Sequence, residues 1–134
     1  MPDNTQYYEA FCFDLNEKDA NELLSLVLDH KKTATSSSLY YFEKTNNVLP
    51  KPNDYSIVTD WNKNPKCVIQ TIKVTILSFN EMTYELCKLE GEDEDLTSWQ
   101  NKHRNFFTQE GKIIGYEFIE NMSIVFEEFR IVYK

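Results

Sequence analysis

The chain has 134 residues, of which 27% are charged and 41% hydrophobic, and its formal net charge is −8. That length suits one domain spanning 1–134 with a core of its own. The charge excludes tight, non-specific binding to a polyanion over the whole surface and leaves only a local basic pocket for such a ligand.

Aromatic residues make up 14% of the chain, which fits a packed core or a stacking surface better than disorder. Met1-Pro2-Asp3-Asn4-Thr5 has no basic or apolar leader character, and no stretch approaches the ~20 apolar residues of a membrane span. Cys12, Cys67 and Cys87 are odd in number, far apart and without metal spacing. The expectation is therefore a reducing, cytoplasmic setting, buried thiols, no membrane partner, no metal and no cofactor.

Tyr7 to Phe13 is short and aromatic and reads as a first strand or extended edge segment. Asn16 can cap a helix with Glu17 and Asp19 in its first turn, and Ala20, Leu23, Leu24, Val27 and Leu28 recur on one helical face. His30-Lys31-Lys32-Thr33-Ala34-Thr35-Ser36-Ser37-Ser38 follows at once, two lysines and then five hydroxyl residues broken only by Ala34. It could hold an anion, a sugar-phosphate or an amide carbonyl. It equally suits lysines at a helix end followed by a solvated loop.

Leu39-Tyr40-Tyr41-Phe42 reads either as more of that helix or as a short strand. Thr45 to Asp54, with Pro50, Pro52 and several asparagines, is a loop ending in a turn. Tyr55–Thr59 and Lys66–Phe79 are strands joined by a hairpin connection at Trp61–Pro65, with Val68, Ile72, Val74, Ile76 and Gln70 on one face of the longer one. Trp61 in its polar turn is a lid or a stacking platform. Asn80 is expected to cap a short helix carrying Met82, Leu86 and Leu89.

Glu90-Gly91-Glu92-Asp93-Glu94-Asp95 is an acidic run, either solvated surface or the start of a further helix. In that helix Leu96, Trp99, His103, Phe106 and Phe107 form a stripe with Arg104 beside it; His103 reads as a packed residue, not a metal ligand. A last strand covers Met122 to Tyr133, with Glu127 on the same face as Val125, Phe129 and Ile131. It marks a β-bulge or an acid aimed at a pocket. Helices and strands without a βαβ rhythm predict an α+β domain on a small, mixed or mainly antiparallel β-barrel flanked by helices.

Lys31-Lys32-Thr33-Ala34-Thr35-Ser36 resembles the Gly-x-Lys-Thr-x-Thr signature of the ASCH (ASC-1 homology) domain family of PUA-like barrels. Later stretches resemble its longer members: Asp54 to Val58, Pro65 to Thr71, Phe79-Asn80-Glu81, Glu90 to Asp93, Leu96 to Trp99, His103 to Phe107 and Val125 to Phe129. The matches run from about Tyr8 to the end of the chain. The resemblance implies a PUA-like barrel with a cleft where the lysine segment meets the acidic segment, and an association with RNA binding or processing. A short bacterial member with a similar motif hydrolyses the amide of N4-acetylcytidine. Carried over by motif, Lys32 becomes general base, Thr35 nucleophile and Glu90 proton donor, with Glu92 the competing acid.

For that chemistry, Lys31 should lower the pKa of Lys32, and the neighbouring carboxylates should raise that of Glu90. Replacing Lys32 or Thr35 by alanine should then abolish activity with stability nearly unchanged. The chain departs from the pattern at His30, where a glycine is expected, and at Ser36-Ser37-Ser38, where the short hydrolase has an arginine; Arg104 is the candidate to replace it. Three functions follow. One is a module binding RNA or a nucleoside or nucleotide ligand, through Lys31, Lys32, Thr33, Ser36, Glu92 and Arg104 with Trp61 or Tyr40 stacking a base. The others are a small amidohydrolase of a modified nucleoside, and a ribonuclease. A homodimer is compatible with each.

Overall fold

The computed structural model describes residues 17–134 and the backbone of residues 9–11. Helix α1 (Glu17–Leu28) has Glu17 and Asp19 in its first turn and buries Ala20, Leu24 and Val27; the expected Asn16 cap lies outside the described residues. The helix stops because His30 turns left-handed, φ 60°. The Lys31 N–H then reaches back to the Leu26 carbonyl (2.9 Å) and the His30 N–H to Val27 (3.0 Å), closing the last turn. A histidine thus takes the conformation that glycine adopts without strain, and the turn survives the departure noted above.

The hydroxyl run is not a solvated loop. Ala34–Ser38 forms strand β2, antiparallel to β5 (Ser123–Tyr133), from Ala34 opposite Glu128 to Ser38 opposite Ile124. Buried Ser38 ends the strand and accepts from the Tyr41 N–H, capping α2 (Leu39–Thr45). Leu39–Phe42 therefore starts a new helix and neither prolongs α1 nor forms a strand.

Beyond the 45–54 loop, β3 (Tyr55–Thr59) and β4 (Pro65–Ser78) form the expected hairpin, its turn held by Asp60 accepting from the Asn64 N–H (2.9 Å). Strand β1 (Glu9–Phe11) lies parallel to β3; the rest of the expected first strand is outside the described residues. The sheet order is β1-β3-β4-β5-β2. It is a curled half-barrel with β1 and β2 as its edges, an α+β fold of the PUA-like kind.

The single face expected for Val68, Ile72, Val74 and Ile76 is broken by two register shifts between β4 and β5, one at Val68/Ile69 and one at Thr71/Lys73. Val68 is buried, whereas Ile72 and Ile76 are exposed. The second shift leaves Ile72 as the extra residue of β4, opposite the step from Phe129 to Glu128, while Glu127 pairs regularly with Val74 and marks no bulge. Asn80 caps nothing. It sits inside a 3-10 turn (Phe79–Glu81) that Ser78 opens by donating its N–H to Glu81, and Thr83 caps α3 (Tyr84–Cys87). A second 3-10 turn (Lys88–Glu90) ends at Gly91, and Asp95 caps α4 (Leu96–Ile114) by accepting from the Ser98 N–H.

Two apolar clusters hold these elements. Phe79, Ile124 and Phe126 pack with Trp99 and Phe107 of α4, and Val58, Ile69 and Phe129 with Leu24 and Val27 of α1. Strand β5 serves both. Cys67 and Cys87 are buried and free; Cys12 is outside the described residues. Among the described residues, no helix is long and apolar enough to cross a membrane.

Candidate functional site

Between α1 and β2 the connector is fastened to the acidic segment by its backbone. The Thr33 N–H and hydroxyl both donate to the Leu89 carbonyl, at 2.8 and 3.2 Å. Gly91 is left-handed, φ 74°, and a Cβ there would collide with the Lys31 carbonyl oxygen. Only glycine allows the acidic loop to lie so close against the lysine segment.

That approach brings both candidate acids to one lysine. Lys32, 2% exposed, has its Nζ 3.3 Å from Glu90 Oε1 and 2.8 Å from Glu92 Oε2. Glu90 is 1% exposed yet fully served. Its Oε2 accepts from the Trp99 indole (2.6 Å) and the Ser36 hydroxyl (2.9 Å), while its Oε1 faces Lys32 and the His103 Nε2 at 3.5 Å. His103 Nδ1 donates to the Trp99 carbonyl (2.9 Å), and its ring stacks on the Trp99 indole at 4.3 Å.

The protonation states follow. Burial opposes the charge on Glu90, but Lys32, His103 and the indole N–H outweigh it and hold the carboxyl well below its usual range. Burial likewise opposes the charge on Lys32, and Glu90 and Glu92 overcome it, raising the pKa. His103 is raised too: desolvation would lower it, but Glu90 and the Trp99 carbonyl leave each ring nitrogen facing an acceptor. These directions reverse the sequence-based ones. In this state Lys32 has no free pair to take a proton and Glu90 has no proton to give. Lys31 is exposed and points elsewhere, so it does not act on Lys32 as a neighbouring cation. A buried lysine between two carboxylates is also a stability element, and Lys32→Ala should destabilise the fold instead of leaving it unchanged.

This cluster floors a cleft of about 410 Å³ between α1 and α4. Lys32, Thr35, Ser36, Glu90 and Glu92 all line it. Among the described residues the Thr35 hydroxyl has no hydrogen-bond partner. Thr33 is spent on Leu89, and Lys31 stays outside the cleft. Trp61 lies in the β3–β4 turn and Tyr40 stacks on Tyr116 at 4.6 Å; neither lines the cleft. Arg104 faces away from it, donating to Glu120 at 2.9 Å. The acidic run is not plain solvated surface either, since Asp93 accepts from the Ser98 hydroxyl and meets Lys102 at 3.2 Å.

Trp99 and His103 were legible only as core. One turn apart on α4, they carry polar nitrogens on an apolar stripe, and a buried indole N–H needs an acceptor. Glu90 is that acceptor. Glu127, the other acid in question, bonds the Thr71 hydroxyl at 2.6 Å and does not line the cleft. Among the described residues no group of three or more His, Cys, Asp or Glu is placed to hold a metal ion.

A family model of the ASCH domain matches residues 9–133. In structure the chain is similar to the ASCH domain from Lactobacillus crispatus JV V101, with 33% identity and a TM-score of 0.87 over 94% of this chain and 80% of that one. It is similar also to protein EF3133 of Enterococcus faecalis V583, a DUF984 protein, with 31% identity and a TM-score of 0.86 over 93% and 76%. Hypothetical protein PH0355, at 20% identity and a TM-score of 0.56 over 92% and 96%, shares the fold alone. No curated protein matches the chain in sequence.

Proposed function

The chain belongs to the ASCH domain family, which is generally thought to bind RNA, and from that premise we propose that its cleft binds a single nucleobase. The base is that of a nucleoside, or an unstacked base of an RNA, inserted between α1 and α4 with its polar edge on the Lys32–Glu90–Glu92 floor. One observation carries this reading: a fully paired cluster of ions and hydroxyls at the base of a cleft of about 410 Å³. That size lies within the range of small-ligand sites, where a few fixed polar groups set orientation. Sequence-specific RNA recognition likewise relies on splayed-out bases whose edges are hydrogen-bonded.

Calorimetric titration with the four common nucleosides and with short single-stranded RNAs tests it. Glu92→Gln, at a position 13% exposed beside Lys32, should lower affinity about tenfold, the loss of one hydrogen bond to a charged group. Equal affinity in native and variant proteins would place the ligand elsewhere.

Hydrolysis of an acylated nucleoside such as N4-acetylcytidine is the second reading, favoured by the unpartnered Thr35 hydroxyl in the same cleft as Lys32. Lys32 could take the proton of Thr35 only after a ligand has drawn Glu92 from it, because the carboxylates hold it charged. Release of cytidine and acetate by the native protein, lost in Thr35→Ala, would support this reading. No release would remove it and leave the binding reading intact. Cleavage of RNA fits least, since the lining offers a phosphodiester four carboxylates, Asp19, Glu22, Glu90 and Glu92.

A further inference from the structure

Thr35 and Ser36 both line the cleft, although neighbours in a strand point to opposite faces of the sheet. What they share is the edge of β2, so the cleft meets the sheet there. Strand β2 stands last in the sheet order with β5 on one side, and among the described residues no strand pairs with its other side.

The register tells which main-chain groups that open side carries. The Phe129 N–H donates to the Thr33 carbonyl at 2.9 Å, one step beyond the Ala34–Glu128 pair. In an antiparallel ladder, bonded and non-bonded positions alternate. Thr35 and Ser37 therefore turn their N–H and C=O toward β5, and Ala34 and Ser36 turn theirs away. The Ala34 end is closed: Ala34 is 0% exposed, and Thr33 before it is tied to the Leu89 carbonyl. At the other end, buried Ser38 already caps α2. Ser36, half-buried and in the cleft, is left with an outward N–H and C=O.

One open residue is too short an edge for an added strand, which pairs along a row of such groups. A single donor beside a single acceptor instead matches the edge of a nucleobase. The Ser36 hydroxyl donates to Glu90 at 2.9 Å, so this main chain lies beside the ionic floor. The Watson–Crick edge is the one farthest from the ribose, and a base entering with it foremost keeps its sugar toward solvent.

We propose that the main-chain N–H and C=O of Ser36 read the Watson–Crick edge of the bound base, so that the cleft accepts a base whose edge is free and rejects one methylated there. This rests on the nucleobase reading above and names the groups that hold the base.

Calorimetric titration compares each of the four common nucleosides with an uncharged edge-methylated form: 3-methyluridine, 1-methylguanosine, N4,N4-dimethylcytidine and N6,N6-dimethyladenosine. Short single-stranded RNAs with and without these bases are titrated alongside. A base that binds should bind roughly tenfold or more weakly once methylated, because a main-chain group is left unpaired. Hydrogen exchange followed by NMR reads Ser36 itself. Its amide should exchange faster than those of Thr35 and Ser37 in the free protein, and about tenfold or more slowly once ligand saturates the cleft. Ser36→Pro removes the N–H without breaking a bond to β5, as proline can on an edge strand. Its affinity should fall roughly tenfold below that of Ser36→Ala, which loses the same hydroxyl but keeps the N–H; circular dichroism checks that both fold. A methylated base that binds as tightly as its parent, a Ser36 amide unaffected by bound ligand, or a folded Ser36→Pro protein equal to Ser36→Ala overturns the proposal alone. Binding of neither nucleoside nor RNA overturns it together with the nucleobase reading.

Discussion

Two glutamates flank strand β2 and meet opposite fates. Ser36 donates to Glu90, and its neighbour Thr35 stands opposite Glu127 in the β2–β5 register. Glu90 is almost fully buried, yet its pKa falls, because two cations and two neutral donors converge on it. Glu127 is less buried, yet its pKa rises. Desolvation and the negative charge of Asp54 outweigh the hydrogen bond from Thr71. Burial alone therefore does not decide the charge of a carboxylate. The number and sign of the groups facing it do.

The largest effect should come from emptying the better-served site. Glu90→Ala leaves the Trp99 indole and the Ser36 hydroxyl without their acceptor and takes one of its two carboxylates from Lys32. Removing one partner of a buried ionic cluster typically costs about 3–5 kcal/mol. Urea denaturation measures it; a loss below about 1 kcal/mol would mean that water replaces the carboxylate and that the cluster is not a closed unit.

Gly91→Ala should cost less, about 2–3 kcal/mol, by forcing a left-handed non-glycine residue against the Lys31 carbonyl. It should also weaken ligand binding, since it moves the loop that carries Glu90 and Glu92. A variant as stable as the native protein would show that the two segments need no such close approach.

Ser36→Ala removes one donor from the ionised Glu90 and should cost about 1.5–2 kcal/mol, in the range for hydrogen bonds to charged groups. The parallel change Thr71→Val removes the donor to Glu127 and should cost less at acidic pH, where that carboxyl is neutral. Equal costs at acidic pH would erase the distinction between the two acids.

What could be read in the sequence follows from how local each signal is. The alternation of Tyr55–Thr59 and the 3.6-residue spacing in α1 and α4 are carried by the segments themselves, and the structure has those elements where the pattern puts them. Strand β2 is different. Ala34–Ser38 has no large apolar residue to alternate and becomes a strand only through pairing with β5, far along the chain. The meeting of Lys32, Thr35 and Glu90 in one cleft was legible where a motif carried it. The charge states of Lys32 and Glu90 were not, because Lys31 is next to Lys32 in sequence but does not line the cleft. Arg104 and His103 show the same limit: one residue apart on α4, they face Glu120 and Glu90 respectively.

The smallest expected effect is also the most direct test of the comparison. Glu127 has a folded pKa above its unfolded value, so its contribution to stability is fully present below about pH 4 and is lost as pH rises through the raised value. Glu90 has the opposite sign. Its contribution is present above the unfolded pKa and is lost as pH falls toward the depressed one. Glu127→Gln keeps an acceptor for Thr71 while removing the ionisable group. The variant should match the native protein near pH 4 and exceed it at pH 7, where the native carboxyl must carry its charge beside Asp54 and away from water. Denaturation curves at the two pH values read the difference. A variant that gains stability at pH 4 but not at pH 7 would reverse the assigned sign and put an unrecognised cation beside Glu127.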